Sequence, residues 1–503
     1  MSEASAPALE QAINLRGEAA GDIAAAMTSP PTRQLLARLQ DLLGPKGYGD
    51  DPRDMAPWLT DWRGRWHGAA AAMLAPANTE EAAEIVRLCA SEHVALVPQG
   101  GNSSMVGGAT PDASGAALLL SVRRLNRIRS LDAAAGLAVC EAGVILSHLH
   151  EAALAAGRRF PLTLGAKGTA TIGGLVSTNA GGTQVLRFGT MRGLVQGIEA
   201  VLPDGTVFNG LTPLKKDNRG YDLRHLLIGA EGTLGLVTAA SLKLVPAIGQ
   251  RALAWVGVET PAAALDLLRH CEATLGDAVE AFELMPRSAL DLVLRHMPGS
   301  RPPLSDAHPW NVLLETVSAA DAPDPEPALV EALRSAFSQR LASDAAIAAS
   351  EAQAEAFWRL RDGISEAERK DGPAAKHDIS VEIAAMPEFM VAASAAVEAR
   401  FHGTRVNAFG HLGDGNVHFN VRAPEGAAAD WVEGEGARVS AFVHDLVTAA
   451  GGSISAEHGI GQMKIAELAR LADPARLGAM RAIKRALDPH GIMNPGKLVP
   501  PID

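Results

Sequence analysis

His411 and His418 flank the turn sequence LGDGN, and Glu457 stands beside His458 in the Gly-bounded stretch SAEHGIG. The runs on either side of LGDGN read as short β-strands, so a hairpin could bring both imidazoles to one side. Two His and one Glu suit a divalent ion of the zinc or manganese type, with positions left open for a substrate. The spacing matches no standard zinc motif. The residues alone therefore leave a second reading, imidazoles satisfied by backbone hydrogen bonds beside a turn. A third cluster is cationic. FWRLRDGISEAERKDGPAAKHD (357–378) opens with a helical pattern that puts Arg361 and Ser365 on one face, and Lys376 follows a Gly-Pro break. By pattern alone it reads as a solvated charged face. Asn420 lies two residues past His418, on the same strand face.

Three other segments are rich in Gly: PQGGNSSMVGG (98–108), LGAKGTATIGGLVSTNAGG (164–182) and GAEGTLGLVT (229–238). Gly permits positive φ and close backbone approach, and such loops cradle phosphate oxygens with their N–H groups. The first is neither GxGxxG nor a P-loop, and alone it could be a structural turn. Three together point to a large phosphate-bearing cofactor.

These groups need a frame. A chain of 503 residues suggests two to four domains. Residues 31–45 read as an amphipathic helix with Leu35, Leu39, Leu42 and Leu43 inward, stopped by Gly44-Pro45. Trp58, Trp62 and Trp66 read as hydrophobic packing against the main body. A helix over 79–90 and a buried strand over Val94–Val97 lead into the first Gly loop. Residues 198–208 read as a hairpin around Asp204-Gly205, and 233–245 as an alternating strand ending at Pro246. A composition shift near 247 opens a stretch to about 400 that reads as long Ala/Leu/Glu helices. A strand–turn–strand follows at 404–422, then helix to about 488.

Composition narrows the function. The net charge of -12 disfavours nucleic acid or an anionic membrane as the main partner. Cys89, Cys140 and Cys271 are scattered and odd in number, which argues against a disulfide framework or a zinc–thiolate site. The first 22 residues carry Glu3, Glu10, Glu18 and Asp22 and look unlike a signal or transit peptide. No apolar run approaches the ~18 residues that span a bilayer. The expectation is a soluble cytoplasmic protein.

PQGGNSSMVGG, TIGGLVSTNAGG, LRFGTMRGLVQGIEAVLPDGTV and KKDNRGYDLRHLLIGAEGTLGLVT resemble the PCMH-type FAD-binding domain of the vanillyl-alcohol oxidase flavoproteins. GHLGDGNVHFNV, SAEHGIG and DPHGIMNPGK resemble the C-terminal domain of FAD-linked oxidases. The likeness covers nearly all of 50–500 and is greatest to the D-2-hydroxyglutarate dehydrogenases. It implies an α+β fold: an N-terminal segment (1–70), an FAD-binding domain (71–247), a substrate or cap domain with antiparallel sheet (248–430), and a helical region returning to the flavin (431–503).

The resemblance also assigns roles. It places the FAD pyrophosphate on Pro98, Gln99, Gly100, Gly101, Asn102, Ser103 and Ser104. It sets Gly165, Thr171, Gly174, Ser177, Asn179 and Gly181 along the isoalloxazine and ribityl side. Glu231, Gly232 and Val237 go to the adenosine end, and Asn494 returns to the flavin. No His or Cys stands in the Gly loops, so FAD is expected to be noncovalent. His411, His418 and Glu457 match metal positions, Zn2+ first and Mn2+ as the alternative, and His458 matches the base. Arg361, Lys376, Asn420 and Ser365 (where relatives usually have Thr) match substrate-carboxylate contacts. The implied reaction is oxidation of a D-2-hydroxy acid, D-2-hydroxyglutarate first, by hydride transfer to flavin N5. D-Lactate or glycolate oxidation is the runner-up. A metallohydrolase or a plain nucleotide-binding module is the reading from another class. With no NAD fingerprint, the electron acceptor is expected to be an electron-transfer flavoprotein or a quinone pathway. A homodimer is compatible.

Overall fold

The computed structural model describes residues 28–501, so the acidic N-terminal stretch lies outside it. The first helix among the described residues is Arg33–Gly47, capped by Thr32, whose hydroxyl accepts from Leu35 N. It breaks at Gly44, where φ is 60°, and buries Leu35, Leu39 and Leu43. Helix Thr79–Ser91 starts where Asn78 accepts from Glu81 N. Of the three tryptophans, Trp62 departs from the packing expectation: it is 66% exposed.

Strands Tyr48–Gly49 (β1), Ala72–Leu74 (β2), Leu96–Gln99 (β3) and Leu118–Ser121 (β4) form one sheet in the order β1-β2-β4-β3, parallel about β4. Next come Ile128–Asp132 (β5), Leu137–Glu141 (β6), Arg158–Arg159 (β7), Val195–Val201 (β8), Val207–Gly210 (β9) and Leu236–Lys243 (β10). All but β7 make an antiparallel sheet in the order β5-β6-β10-β8-β9, while β7 pairs with Val245–Pro246 (β11). The β8–β9 turn is the expected hairpin, with Gly205 at φ 80°. The expected alternation in β10 is absent, because its central place buries both faces from Leu236 to Leu242.

The remaining strands are Ile248–Val258 (β12), Val279–Pro286 (β13), Trp310–Ala319 (β14), Asp344–Ile347 (β15), Ala374–Ser380 (β16), Arg405–His411 (β17) and Asn416–Arg422 (β18). They form a seven-stranded antiparallel sheet in the order β15-β12-β14-β13-β17-β18-β16. Helices had been expected over 247–400, yet β12, β13 and β14 occupy much of 248–319. Their runs are nearly continuous in apolar residues because helices cover both faces. Such strands lack the period-2 signature and imitate buried helix. On one face Phe282, Leu284, Ala375, Ile379, Ala408, Val417, Phe419 and Val421 pack on helices Met386–Arg400 and Glu435–Ala449. On the other, Trp255, Met285, Leu313 and Phe409 pack on helices Arg287–His296 and Glu351–Asp362.

The C-terminal run returns to the first sheet. Leu96 N donates to Ile492 O, and Asn494 N to Leu96 O, both at 2.8 Å. Buried Glu280 on β13 binds Arg159 on β7 and also Arg187, tying the sheet to the Gly-rich half.

Candidate active site

Registers place the polar residues on one sheet face. Lys376 pairs with Asn420, Asp378 with His418, Phe409 with His418, and Asn407 with Asn420. His411 pairs with Asn416 and, on its other side, with Glu283. Since side chains alternate along a strand, this row shares one face while Phe419, Val417 and Ala408 go to the apolar core. A slip of one residue in β18 would bury His418 among the core side chains.

His411, His418 and Glu457 each offer a ligand atom within 4.8 Å of the others. The two imidazole centroids are 5.4 Å apart. His411 Nδ1 donates to Glu283 Oε1 at 2.6 Å, which leaves Nε2 for another partner; here Arg361 Nη2 lies 3.3 Å from it. Burial works against charge on His411, but the Glu283 carboxylate overrides it and lifts the imidazole to about 9. Burial, with His411 and Arg361 nearby, presses His418 down to about 3. Burial pushes the Glu457 carboxyl up to about 7 despite the pull of His411. A half-buried carboxylate and a bare imidazole lone pair beside a carboxylate-backed His form a donor set that suits a divalent cation.

His458 follows Glu457 in a loop held by Asp378. One Asp378 oxygen accepts the N–H groups of Glu457 and His458, both at 2.9 Å, and lies 3.4 Å from His458 Nδ1. Asn416 Nδ2 donates to the other oxygen. Burial lowers the His458 pKa, with Asp378 opposing.

The expected substrate cations are present and already have partners. Arg361 donates through Nε to Glu283 Oε2 at 2.8 Å, and its guanidinium lies over Phe409. Lys376 Nζ is 3.3 Å from Glu368 Oε2. Glu368 also accepts from Asn420 and Asn407, both at 2.7 Å. Arg361 is mostly buried, while Ser365, one turn further on, is exposed and offers its carbonyl to Lys376.

The three Gly-rich segments converge on this row. A Cβ on Gly100 would lie 2.2 Å from Thr171 Oγ1, and one on Gly101 would lie 1.7 Å from Thr169 O. Gly232 packs on Pro98, and Asn494 Nδ2 donates to Gly108 O and Glu231 O. Gly181 abuts Glu457, where a Cβ would lie 2.9 Å from Oε1.

Residues 249–498 match the family described as FAD linked oxidases, C-terminal domain, and residues 70–210 match the FAD binding domain family. A protein of Arabidopsis thaliana described as mitochondrial D-2-hydroxyglutarate dehydrogenase is 38% identical, over 92% of this chain and 81% of its own. The chain belongs to the FAD-linked oxidase family. A Xanthomonas citri protein described as D-2-hydroxyglutarate dehydrogenase is 36% identical, over 89% of this chain and 93% of its own. p-Cresol methylhydroxylase shares the PCMH-type fold at a TM-score of 0.70, with 13% identity and 94% and 99% of the two chains covered.

As an FAD-linked oxidase the chain binds FAD, and its loops fit that cofactor. Gln99 Oε1, Thr171 Oγ1 and Asn494 Oδ1 are buried with no hydrogen-bond partner. A Cβ on Gly165 meets nothing within 4 Å, and one on Gly174 would meet Thr171 Oγ1 at 3.4 Å. Ser104 Oγ accepts from Gly108 N at 3.1 Å, and Ser103 is beside it in the loop. The positive φ in this loop falls on Asn102 and Gly107, so Ser104 adopts its backbone without strain.

Several expected contacts have other partners. The Glu231 carboxylate, expected at the adenosine end, accepts Ile460 N and Gly461 N at 2.8 and 2.7 Å, because the loop after His458 needs an anchor. Val237 packs in the core. Asn179 Oδ1 accepts from Thr190 Oγ1 and Arg192 N, Ser177 O accepts from Glu231 N, and Asn102 Nδ2 donates to Thr60 O. The sequence reading missed Glu283, Asp378 and Glu368. Glu283 is marked only by its setting, a charge amid the apolar run VEAFELMP, while Asp378 and Glu368 stand among other polar residues that hide them. Among the described residues no helix is long and apolar enough to cross a membrane.

Proposed function

We propose that the chain oxidises D-2-hydroxyglutarate to 2-oxoglutarate, using FAD and a divalent cation, Zn2+ or Mn2+, held by His411, His418 and Glu457. What carries this is the ligand triad with Glu457 against Gly181 of the FAD-binding half and Arg361 against His411. The names of the relatives supply the substrate. Three buried carboxylates, Glu283, Glu368 and Asp378, and the half-buried Glu457 lie near Arg361 and Lys376, and so much negative charge favours a bound cation.

FAD supplies the hydride acceptor, and the protein orients the substrate against it. A cation held by His411, His418 and Glu457 would supply the positive charge that makes the substrate hydroxyl more acidic. His458, kept neutral by burial, takes the hydroxyl proton. Asp378 positions the imidazole through the loop backbone and faces Nδ1, which leaves Nε2 for that proton. Arg361 grips a carboxylate with its fork, Lys376 adds a point charge, Ser365 a hydroxyl, and Asn420 an amide.

A specific observation favours the runner-up. Glu368 already neutralises Lys376 and engages Asn420, which weakens the pull on a distal carboxylate and suits D-lactate or glycolate. Anaerobic bleaching of the flavin by a panel of D-2-hydroxy acids separates the two. D-2-Hydroxyglutarate should reduce it at the highest kcat/KM; a higher value for D-lactate replaces the dicarboxylate reading.

Reduced flavin needs an acceptor. An electron-transfer flavoprotein or a quinone pathway fits a chain without a dinucleotide fingerprint. A reducing, cytoplasmic setting fits the three free cysteines, all buried. The Arabidopsis relative is labelled mitochondrial.

A further inference from the structure

Glu283 sits on β13, and its side chain is 1% exposed. Its local sequence, VEAFELMP, alternates into two packed faces and offers it no nearby cation. The partners come from elsewhere in the chain. Oε1 accepts from His411 Nδ1 at 2.6 Å, 128 residues away, and Oε2 accepts from Arg361 Nε at 2.8 Å, 78 residues away. The guanidinium Nη2 also lies 2.8 Å from Oε2. Register explains the first contact, since Glu283 and His411 are directly paired across β13 and β17. Helix Glu351–Asp362 brings Arg361 down on the same row, over Phe409.

One carboxylate thus holds a candidate metal ligand with one oxygen and a candidate substrate fork with the other. Both oxygens are engaged, and Arg361 Nη2 in turn touches His411 Nε2, so the three side chains form a closed triangle. Rotating the carboxylate to suit one partner disturbs the other. A His that donates one ring nitrogen to a carboxylate is fixed in tautomer and orientation, and it is a better cation ligand at the other nitrogen.

We propose that Glu283 is a positioning residue that couples cation binding at His411 to carboxylate binding at Arg361. This rests on the function proposed above. Glu283 touches neither the substrate nor the cation in this account. It acts through two residues that do.

The test uses the full-length flavoprotein. Zn2+ and Mn2+ affinities are measured by competition with a chromophoric chelator, with no substrate present. The kcat/KM values for D-2-hydroxyglutarate and D-lactate are measured at saturating metal. Glu283→Gln keeps the shape and removes the charge. It should weaken metal binding about 10- to 100-fold, the range for losing such a partner. It should also lower the D-2-hydroxyglutarate to D-lactate preference about 10-fold or more, the loss expected of a disturbed charge-assisted contact. Because an unpaired buried Arg361 can unfold the protein, Glu283→Asp is the second variant. It keeps the charge, but is one methylene too short to reach both partners, and should show the same two losses in smaller measure. Either variant with flavin bound and both quantities within threefold of wild type makes Glu283 a purely structural residue and overturns the proposal. A shift in one quantity alone overturns the coupling. If wild type itself binds neither metal or prefers D-lactate, the failure lies in the underlying function, and it is seen before any variant is made.

Discussion

Gly181, at the end of the second Gly-rich segment, lies against Glu457, so that a Cβ there would stand 2.9 Å from the carboxylate oxygen Oε1. The FAD-binding half and the candidate metal site therefore touch here, as they also do where the Glu231 carboxylate accepts Ile460 N and Gly461 N. Gly181 has no positive φ, so Ala is tolerated by the backbone and acts through Glu457 first and through Val185 Cγ2, 3.3 Å from such a Cβ, second. Gly181→Ala should displace Glu457 and weaken metal binding and turnover about 10-fold or more, as misplacement near a reacting centre does. Chelator competition and steady-state rates, with flavin content as the control, check it.

The candidate metal ligands and the atoms that suit FAD lie on different residues. The triad is His411, His418 and Glu457, whereas the unpaired atoms that suit FAD are on Gln99, Thr171 and Asn494. Exhaustive chelation should abolish turnover while the flavin absorbance stays with the protein, and Zn2+ or Mn2+ should restore the rate. Acid precipitation should then release the flavin to the supernatant. Full activity in verified metal-free protein contradicts the role given to the triad.

The pH profile should report His458. Burial puts its pKa below the ordinary 6.5, and Asp378 partly restores it. A base must be neutral to accept a proton, so the acid limb of kcat/KM should lie below 6.5, with activity falling as pH drops through it. Asp378→Asn removes the carboxylate that favours the imidazolium. The limb should move to still lower pH, and the plateau should fall because the loop loses its anchor. Movement of the limb to higher pH would assign the titration to another group.

Lys376 is partly exposed, but its loss leaves the buried Glu368 carboxylate without its cation, so flavin content and thermal stability are the controls. A charge-assisted hydrogen bond contributes roughly 1.5–3 kcal/mol, so Lys376→Met should cut kcat/KM for D-2-hydroxyglutarate about 10- to 150-fold. D-Lactate, which has no distal carboxylate, should change far less. Equal losses on both acids would place Lys376 at the shared carboxylate.

The local signals in the chain sufficed for the parts that depend on neighbours in sequence. The LGDGN turn defines the β17–β18 hairpin, and a period of two then puts His411, His418 and Asn420 on one face. The Gly-rich segments announced a phosphate-bearing cofactor, because only Gly tolerates such close approach. What local signals could not carry was decided by pairing over long distances. Strands β12 to β14 read as helix because burial on both faces erases alternation. Gly100 and Gly101 are required by Thr169 and Thr171, some 70 residues on, as much as by any ligand. Glu283 has no cation beside it in sequence, and Glu368 pairs with Lys376 and Asn420 rather than with the adjacent Arg369 or Lys370; both, like Asp378, are buried against partners from elsewhere in the chain. A buried carboxylate is costly unless tertiary contacts supply its charge and hydrogen bonds, so only the folded arrangement of β13, β16, β17, β18 and the two helices could set these groups around the site.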